Sequence, residues 1–472
     1  MTGSAPRSLL VRDPATGEPV SGLPVTTGEE VAAAVEAAFS ARPGWAMTAP
    51  ADRAAAVARA AARVRDQANR LAEVTTAEMG RPAAIARGGV DAGAAAMVQY
   101  AELGPLHRGR SLQGQWDALD VMVHEPRGVA AVITPWNDPV AVPAGLLAAA
   151  LVTGNTVVFK PSERTPLTGQ LLAECFLEEL PTGVLSVVHG DGEVGSALAG
   201  SPLVDVVLHV GSTAAGRSIA AAAAATGAKV VLENGGNDPL IVDADVDPAW
   251  AASHAALGGF INSGQLCTAV ERVYVHEAVA DEFVAALVKE AESLVMGPGS
   301  EPATTLGPLV DERMREHVHR QVQQAQQAGA TTRTGGFLPD RPGAFYPATV
   351  LTDVRPDLAV MREETFGPVA PVMSVASYDE ALAAAGAVAD GALAYGLAAT
   401  VLTGSMQHAQ QAWRRLRVGT VKVNAVFGGA PGGAAHPRGA SGEGFGYGPE
   451  LLDELTVTKV VHLGQAQLRR QV

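Results

Sequence analysis

Only two cysteines occur among the 472 residues, and their surroundings differ. Cys267 closes the run Gly258-Gly259-Phe260-Ile261-Asn262-Ser263-Gly264-Gln265-Leu266-Cys267, with Thr268 behind it. Small residues on its N-terminal side let a ligand and a backbone both approach the sulfur. A thiolate is the strongest nucleophile among the side chains, and such a setting leaves room for an electrophile. Taken by itself the window favours a different reading, a small buried hydrophobe, which is the usual fate of a lone cysteine. Other stretches of the chain reverse that preference. Cys175 stands among Leu171, Leu172 and Phe176 and reads as core.

A second chemistry is that of phosphate and sugar. No clean G-x-G-x-x-G loop follows the first apolar β run. Instead Gly211-Ser212-Thr213-Ala214-Ala215-Gly216 follows one β run and opens a helix, whose free N–H groups and positive dipole end suit a phosphate. Lys160-Pro161-Ser162-Glu163 follows another, and its lysine and glutamate could hold ribose hydroxyls. Each fragment alone is weak. Asn137 could be no more than a turn residue before Pro139, and Glu233 no more than a helix cap or surface carboxylate.

These residues need elements to hold them. From Thr27, a plausible N-cap before Glu29 and Glu30, Val31, Val35 and Phe39 recur at four-residue spacing and predict a helix. Residues 50–78 read as one long helix, with its arginines on a solvated face. Residues 120–125 read as a strand apart from the helices. Then strands at 128–134, 156–160, 185–189, 204–210 and 229–233 alternate with helices at 140–153, 167–180 and 212–225. That alternation predicts parallel pairing in a doubly wound α/β sheet, with ligands beyond the carboxyl ends of the strands. A second block after Glu233 holds helices near 247–258, 279–294 and 311–328 and strands near 272–276, 397–402 and 420–424. The glycine-rich run 428–448 reads as a long loop that lines something.

Composition excludes several classes. A net charge of −15 argues against a nucleic-acid partner and an anionic membrane surface. Two cysteines cannot build a disulfide framework, so a reducing compartment is expected. The N-terminal residues 1–7 have no apolar signal core, and the alanine runs are interrupted before membrane-spanning length. The expectation is a cytoplasmic protein. The eleven histidines form no metal-ligand spacing, so no metal is expected.

Three more fragments complete a pattern: Pro135-Trp136-Asn137, Leu232-Glu233-Asn234-Gly235-Gly236 and Glu363-Glu364-Thr365-Phe366-Gly367-Pro368-Val369. In order with the lysine, glycine-serine and cysteine stretches, they resemble the aldehyde dehydrogenase superfamily from about Asp13 to Val461. The resemblance implies an α/β fold with a Rossmann-like cofactor domain (1–107 and 127–233), a catalytic domain (234–454) and oligomerisation strands (108–126 and 455–472). It implies that Cys267 attacks a small-molecule aldehyde, that Asn137 and the Cys267 N–H hold the oxyanion, and that Glu233 activates the water that releases the acid. It also implies a dinucleotide held by Trp136, Lys160, Ser162, Glu163, Gly211, Ser212, Glu364 and Phe366: Lys160 and Glu163 would face the adenosine ribose, Ser212 the pyrophosphate, Glu364 the nicotinamide ribose and Phe366 the nicotinamide, with Trp136 by the cofactor. Phe366 could equally be core. Glu163 would repel a 2′-phosphate, which favours NAD while leaving NADP possible. A homodimer or homotetramer is implied as well.

The chain departs from the family pattern at Asn234, where leucine is usual, at Lys422, where an aromatic is common, and in Ala430-Pro431-Gly432-Gly433-Ala434-Ala435-His436-Pro437-Arg438. These put the substrate pocket in question and not the reaction. Asp138 follows Asn137 where many members carry an aromatic, and it would repel an anionic aldehyde unless Arg438 or His436 paired with it or it capped the following helix. Ala141, Val142 and Ile261 would line the entrance. Two alternatives stand beside oxidation to the acid: a non-catalytic nucleotide-binding member, and an enzyme passing the acyl group to coenzyme A.

Overall fold

The strands that read as unbroken apolar runs are those buried on both faces of a sheet. The computed structural model describes residues 7–386, 394–428 and 433–467. In it Val129–Ile133, Thr156–Lys160 and Val206–Val210 lie side by side, every residue but Val210 buried. Val129, Ala131, Val158 and Val207 pack to one face, and Ala130, Val132, Val157, Phe159 and Leu208 to the other. Leu185–Val187 extends this sheet beyond Thr156–Lys160, and Lys229–Glu233 beyond Val206–Val210, all parallel. The chain runs outward from Val129–Ile133 on one side and returns to its other side at Val206–Val210. The crevice between those two strands is a topological switch point, where α/β sheets bind ligands.

A second sheet has seven strands in the order Thr331–Thr334, Thr349–Thr352, Val369–Val375, Val270–His276, Asp238–Val242, Ala398–Leu402 and Thr420–Val423. Only its first strand runs antiparallel to its neighbour. A third, three-stranded antiparallel sheet joins Thr456–Leu463 to Leu119–Pro126 in register from Thr456↔Pro126 to Leu463↔Leu119, with Arg110–Leu112 on the far side. Residues 468–472 of the segment expected there lie outside the described residues. No described helix is long and apolar enough to cross a membrane.

The helix Gly28–Met47 starts with a reciprocal cap: Glu30 N donates to Thr27 Oγ1 (3.2 Å) and Thr27 N to Glu30 Oε2 (2.8 Å). Val31 and Val35 are buried, but Phe39 is not, being 37% exposed. Two four-residue steps drift about 80° around a helix of 3.6 residues per turn, and Ala38 takes the inner place. The expected helix over 50–78 breaks at Gln67 into Pro50–Asp66 and Ala68–Met79. Nor are its arginines all solvated. Arg53 is buried and donates from Nε to Val152 O (3.0 Å) and from Nη1 to Ala46 O and Thr48 O.

The helix Ala83–Leu103 begins at Pro82 with neither a side-chain cap nor an acidic first turn, so nothing local announces it. Gly93 lets it approach Ala141–Val152 closely, since a Cβ there would lie 3.2 Å from Ala141 Cα. In the run expected as a long loop, residues 429–432 lie outside the described residues. The remainder includes two short strands, Arg438–Gly439 and Gly442–Glu443. The second joins the edge of the six-stranded sheet, antiparallel, with Gly442 opposite Glu233.

Candidate active site

A cavity of about 900 Å³ opens at the carboxyl ends of the first sheet, and three potential reacting groups reach it from separate segments. Asn137 comes from the turn after Val129–Ile133. It is buried, its Nδ2 donates to Gln265 O (3.1 Å), and its own carbonyl accepts from Arg81 Nη1 (3.2 Å). One amide hydrogen of Nδ2 is left for another acceptor.

Cys267 follows the short turn Ile261–Gly264, whose residues 262 to 264 all have positive φ (50°, 57° and 72°). Only Gly fits at 264, because a Cβ there would overlap the Gly367 carbonyl. The two non-glycine residues are held by neighbours: Ser263 Oγ donates to Gly307 O (2.7 Å), and Gln265 Nε2 donates to Asn262 O (3.1 Å). Gln265 Oε1 in turn accepts from Val310 N (2.9 Å). Such over-determined strain is a mark of functional turns.

Glu233 ends the strand Lys229–Glu233. Its Oε1 accepts from Gly446 N (3.1 Å), and the carboxyl fits because Gly446 has no side chain.

Burial dominates the electrostatics. It pushes the Cys267 thiol up to about 12, reinforced by Glu233 and then Asp238, Glu364 and Asp138. It pushes the Glu233 carboxyl up to about 8, against the one N–H from Gly446. Without an external proton acceptor the thiol therefore stays neutral, and a large share of Glu233 is protonated near neutral pH.

The residues expected around a dinucleotide line the same cavity: Trp136, Lys160, Ser162, Glu163, Gly211, Ser212, Glu364 and Phe366. Lys160 is buried, donates to Pro161 O (3.1 Å) and lies 3.8 Å from Glu163 Oε2; burial lowers its pKa. Ser212 caps the helix Thr213–Thr226 by accepting from Ala215 N (3.3 Å). Behind Gly211 lies buried His209, held at Nδ1 by Ile133 O (3.2 Å) and lowered to about 4 by desolvation, hence neutral. Glu364 Oε1 accepts from Gly236 N (3.0 Å), and burial raises its carboxyl to about 7. Phe366 is partly exposed on the cavity wall, edge-on to Trp136 at 5.5 Å, and is not simply core. Its φ of 51° is fixed by buried Glu271, which accepts from Thr365 N (2.9 Å) and Phe366 N (3.0 Å).

The substrate-side expectations fare differently. Asp138 lines the cavity, but its partner is Arg81, at 3.1 Å, and not Arg438. It does not cap the next helix, Ala141–Val152, whose N-cap is Val140 and which has no side-chain cap. Arg438 is exposed on its short strand opposite Gly396 and is not among the residues lining the cavity. A strand pairing fixes its direction, and no sequence pattern over 428–440 announces that pairing. His436 holds its own loop, accepting from Gly444 N at Nε2 (3.1 Å). Val142 and Ile261 line the cavity and Ala141 does not. Asn234 lines the cavity too, and its Nδ2 is tied to Ala440 O (3.2 Å). Lys422 points to Val426 O (2.7 Å) and sits over Phe427, 5.4 Å from the ring centroid.

Sequence reasoning missed Arg81, Glu271, Met314, His317 and Phe427, which reach the site or support it from distant segments. Arg81 carried the one available signal, a cation in the tight stretch Gly80-Arg81-Pro82 between two helices.

Residues 1–461 match the Aldehyde dehydrogenase family. The chain is 39% identical over 424 residues to 3,6-anhydro-alpha-L-galactose dehydrogenase of Streptomyces coelicolor, spanning 88% of this chain and 85% of that one. It is 36% identical over 448 residues to succinate-semialdehyde dehydrogenase of Paenarthrobacter nicotinovorans, spanning 93% and 97%. Among solved structures, the NAD+ complex of an aldehyde dehydrogenase from Bacillus cereus is similar at TM-score 0.93 and 33% identity, over 97% of this chain and 93% of that one.

Proposed function

The chain belongs to the aldehyde dehydrogenase family, whose members are oxidoreductases acting on aldehydes, and from that premise we propose that it converts an aldehyde to a carboxylic acid through a thioester on Cys267. The observation that carries the reading is the convergence of Cys267, Glu233 and Asn137 on one cavity. The Cys267 sulfur bonds to the aldehyde carbon as the thiol gives its proton to ionised Glu233, which lines the same cavity and passes that proton to solvent before the hydrolytic step. Asn137 Nδ2, which keeps one hydrogen free, and the Cys267 N–H receive the oxyanion. NAD, when bound, supplies the oxidant that accepts the hydride from the tetrahedral carbon, and a thioester remains on Cys267. Glu233 then takes a proton from water as its oxygen adds to the thioester carbon. The C–S bond breaks, the acid leaves, and the thiol is restored.

The residues present fit a dinucleotide. Among the described residues, buried Lys160 has only the Pro161 carbonyl within hydrogen-bond distance, which leaves donors for a ribose, and partly exposed Glu163 beside it disfavours a 2′-phosphate. Gly211 and Ser212 start a helix whose N-terminus suits a pyrophosphate. Glu364 is aimed by Gly236, and Phe366 by Glu271. These placements support NAD, with a cofactor unit of residues 1–107 and 127–233 and a catalytic unit of 234–454. The Gly442–Glu443 strand crosses from the second unit into the first unit's sheet.

The test is a panel of aldehydes followed by NADH absorbance. Wild type is expected to turn over at least one, and Cys267→Ala to lose turnover while keeping NAD affinity. Turnover of Cys267→Ala above a trace defeats the proposal. The same reading makes the working form a homodimer or homotetramer, with exposed Val457, Val460 and Leu463 covered by a second chain. Light scattering is expected to give two or four times the 48.2 kDa of one chain, and a monomer mass refutes the assembly.

A further inference from the structure

Outside the cavity, His107, His124 and Asp453 each offer one ligand atom, and these atoms lie within 4.8 Å of one another. They come from three elements. His107 follows the short turn Gly104–Leu106, His124 lies on the strand Leu119–Pro126, and Asp453 lies on the helix Glu450–Glu454 that leads into Thr456–Leu463. His107 and Asp453 are 346 positions apart in sequence, which is why ligand spacing gives no sign of them.

Three observations go beyond a surface ion pair. His107 Nε2 faces Asp453 Oδ1 at 2.8 Å, so one imidazole and one carboxylate are already aligned. The two imidazoles sit 4.2 Å apart, centroid to centroid, tilted by 32°. Nδ1 of His124 is buried and has no hydrogen-bond partner among the described residues.

Metal bonds of about 2.0–2.2 Å place two ligands of one ion roughly 3–4 Å apart. His107 Nε2 and Asp453 Oδ1, at 2.8 Å, lie close to that range, and all three ligand atoms lie within 4.8 Å of one another. Two imidazole nitrogens and one carboxylate oxygen suit Zn²⁺, Co²⁺ or Ni²⁺ rather than Mg²⁺ or Ca²⁺, which take oxygen.

We propose that His107, His124 and Asp453 bind a divalent transition-metal ion that clamps the three-stranded sheet to the end of the helix Ala83–Leu103. The ion is structural and takes no part in the aldehyde chemistry.

The test uses the full chain carrying Cys267→Ala, which removes the catalytic thiol as a rival ligand. Titration with Co²⁺, read by visible absorption, is expected to show one ion per chain. His124→Gln and, separately, Asp453→Asn are expected to weaken binding by at least about tenfold, as loss of a ligand should. Asp453 is largely exposed, so its variant keeps the fold. Zn²⁺ is expected to raise the melting temperature of the parent and not of His124→Gln. Equal Co²⁺ affinity in parent and both variants, or no stoichiometric binding in the parent, overturns the site.

Discussion

Glu233 has to be ionised to take a proton from water, yet burial raises it to about 8. The ionised fraction therefore grows with pH across the neutral range, and thioester hydrolysis should grow with it, levelling off above about pH 8. Glu233→Gln keeps the shape of the side chain and removes the proton acceptor. We expect a rapid burst of NADH followed by steady turnover slowed about 10²–10⁴-fold, with the rising pH limb gone. Stopped-flow absorbance reads both phases. Loss of the burst along with turnover would mean that Glu233 holds the site together and is not its base.

At the scale of elements, the proposed base Glu233 is held by a loop from far along the chain. Gly446 donates to the carboxylate, and a Cβ at 446 would overlap Glu233 Cγ. Gly446→Ala should cost about 1–3 kcal/mol of stability by overpacking. It should also slow steady turnover more than the burst. A denaturant melt and the same stopped-flow assay check both; a burst reduced as much as turnover would contradict the aiming role. This dependence also marks what could be read in the sequence. The strands Thr156–Lys160 and Lys229–Glu233 were legible to the residue: the first is buried on both faces and so reads as an apolar run, and the second is a short apolar run, Val230-Val231-Leu232, bounded by charges. Nearly every residue expected at the site lines the cavity, because strand-end motifs are local in sequence. What escaped acts across the chain. Arg81 meets Asp138, Glu271 fixes Phe366, and Arg438 is turned outward by pairing with Gly396; no periodicity encodes those meetings. The helix Ala83–Leu103 escaped for the opposite reason, being held by packing and not by a capped start.

Across the whole molecule, four buried carboxyls share one linkage. Desolvation raises Glu233, Asp238 and Glu271 to about 8 and Glu364 to about 7. In the unfolded chain the same groups ionise near 4. Between these limits the native state binds the extra protons, so its advantage is complete at low pH and is lost as pH rises through about 7–8. The melting temperature should therefore fall from about pH 5 to about pH 8 and level off above that. Glu271→Gln should flatten that slope while lowering the melting temperature at every pH. A melting temperature that climbs across the window would reverse the sign of the argument.

The pairing of Gly442–Glu443 with the edge of the six-stranded sheet has a consequence for how the chain is made. Ribosomes deliver residues in order, so the first sheet can assemble as far as Glu233 long before residue 442 exists. During that interval the edge that will carry Glu233 is bare, with its N–H and C=O groups free to capture another strand. A nascent chain stalled before residue 442 would hold a nearly finished dinucleotide fold with an adhesive margin. Chaperone demand during synthesis should then peak late, and a premature stop in the last tenth of the message should yield aggregates in place of a smaller soluble domain.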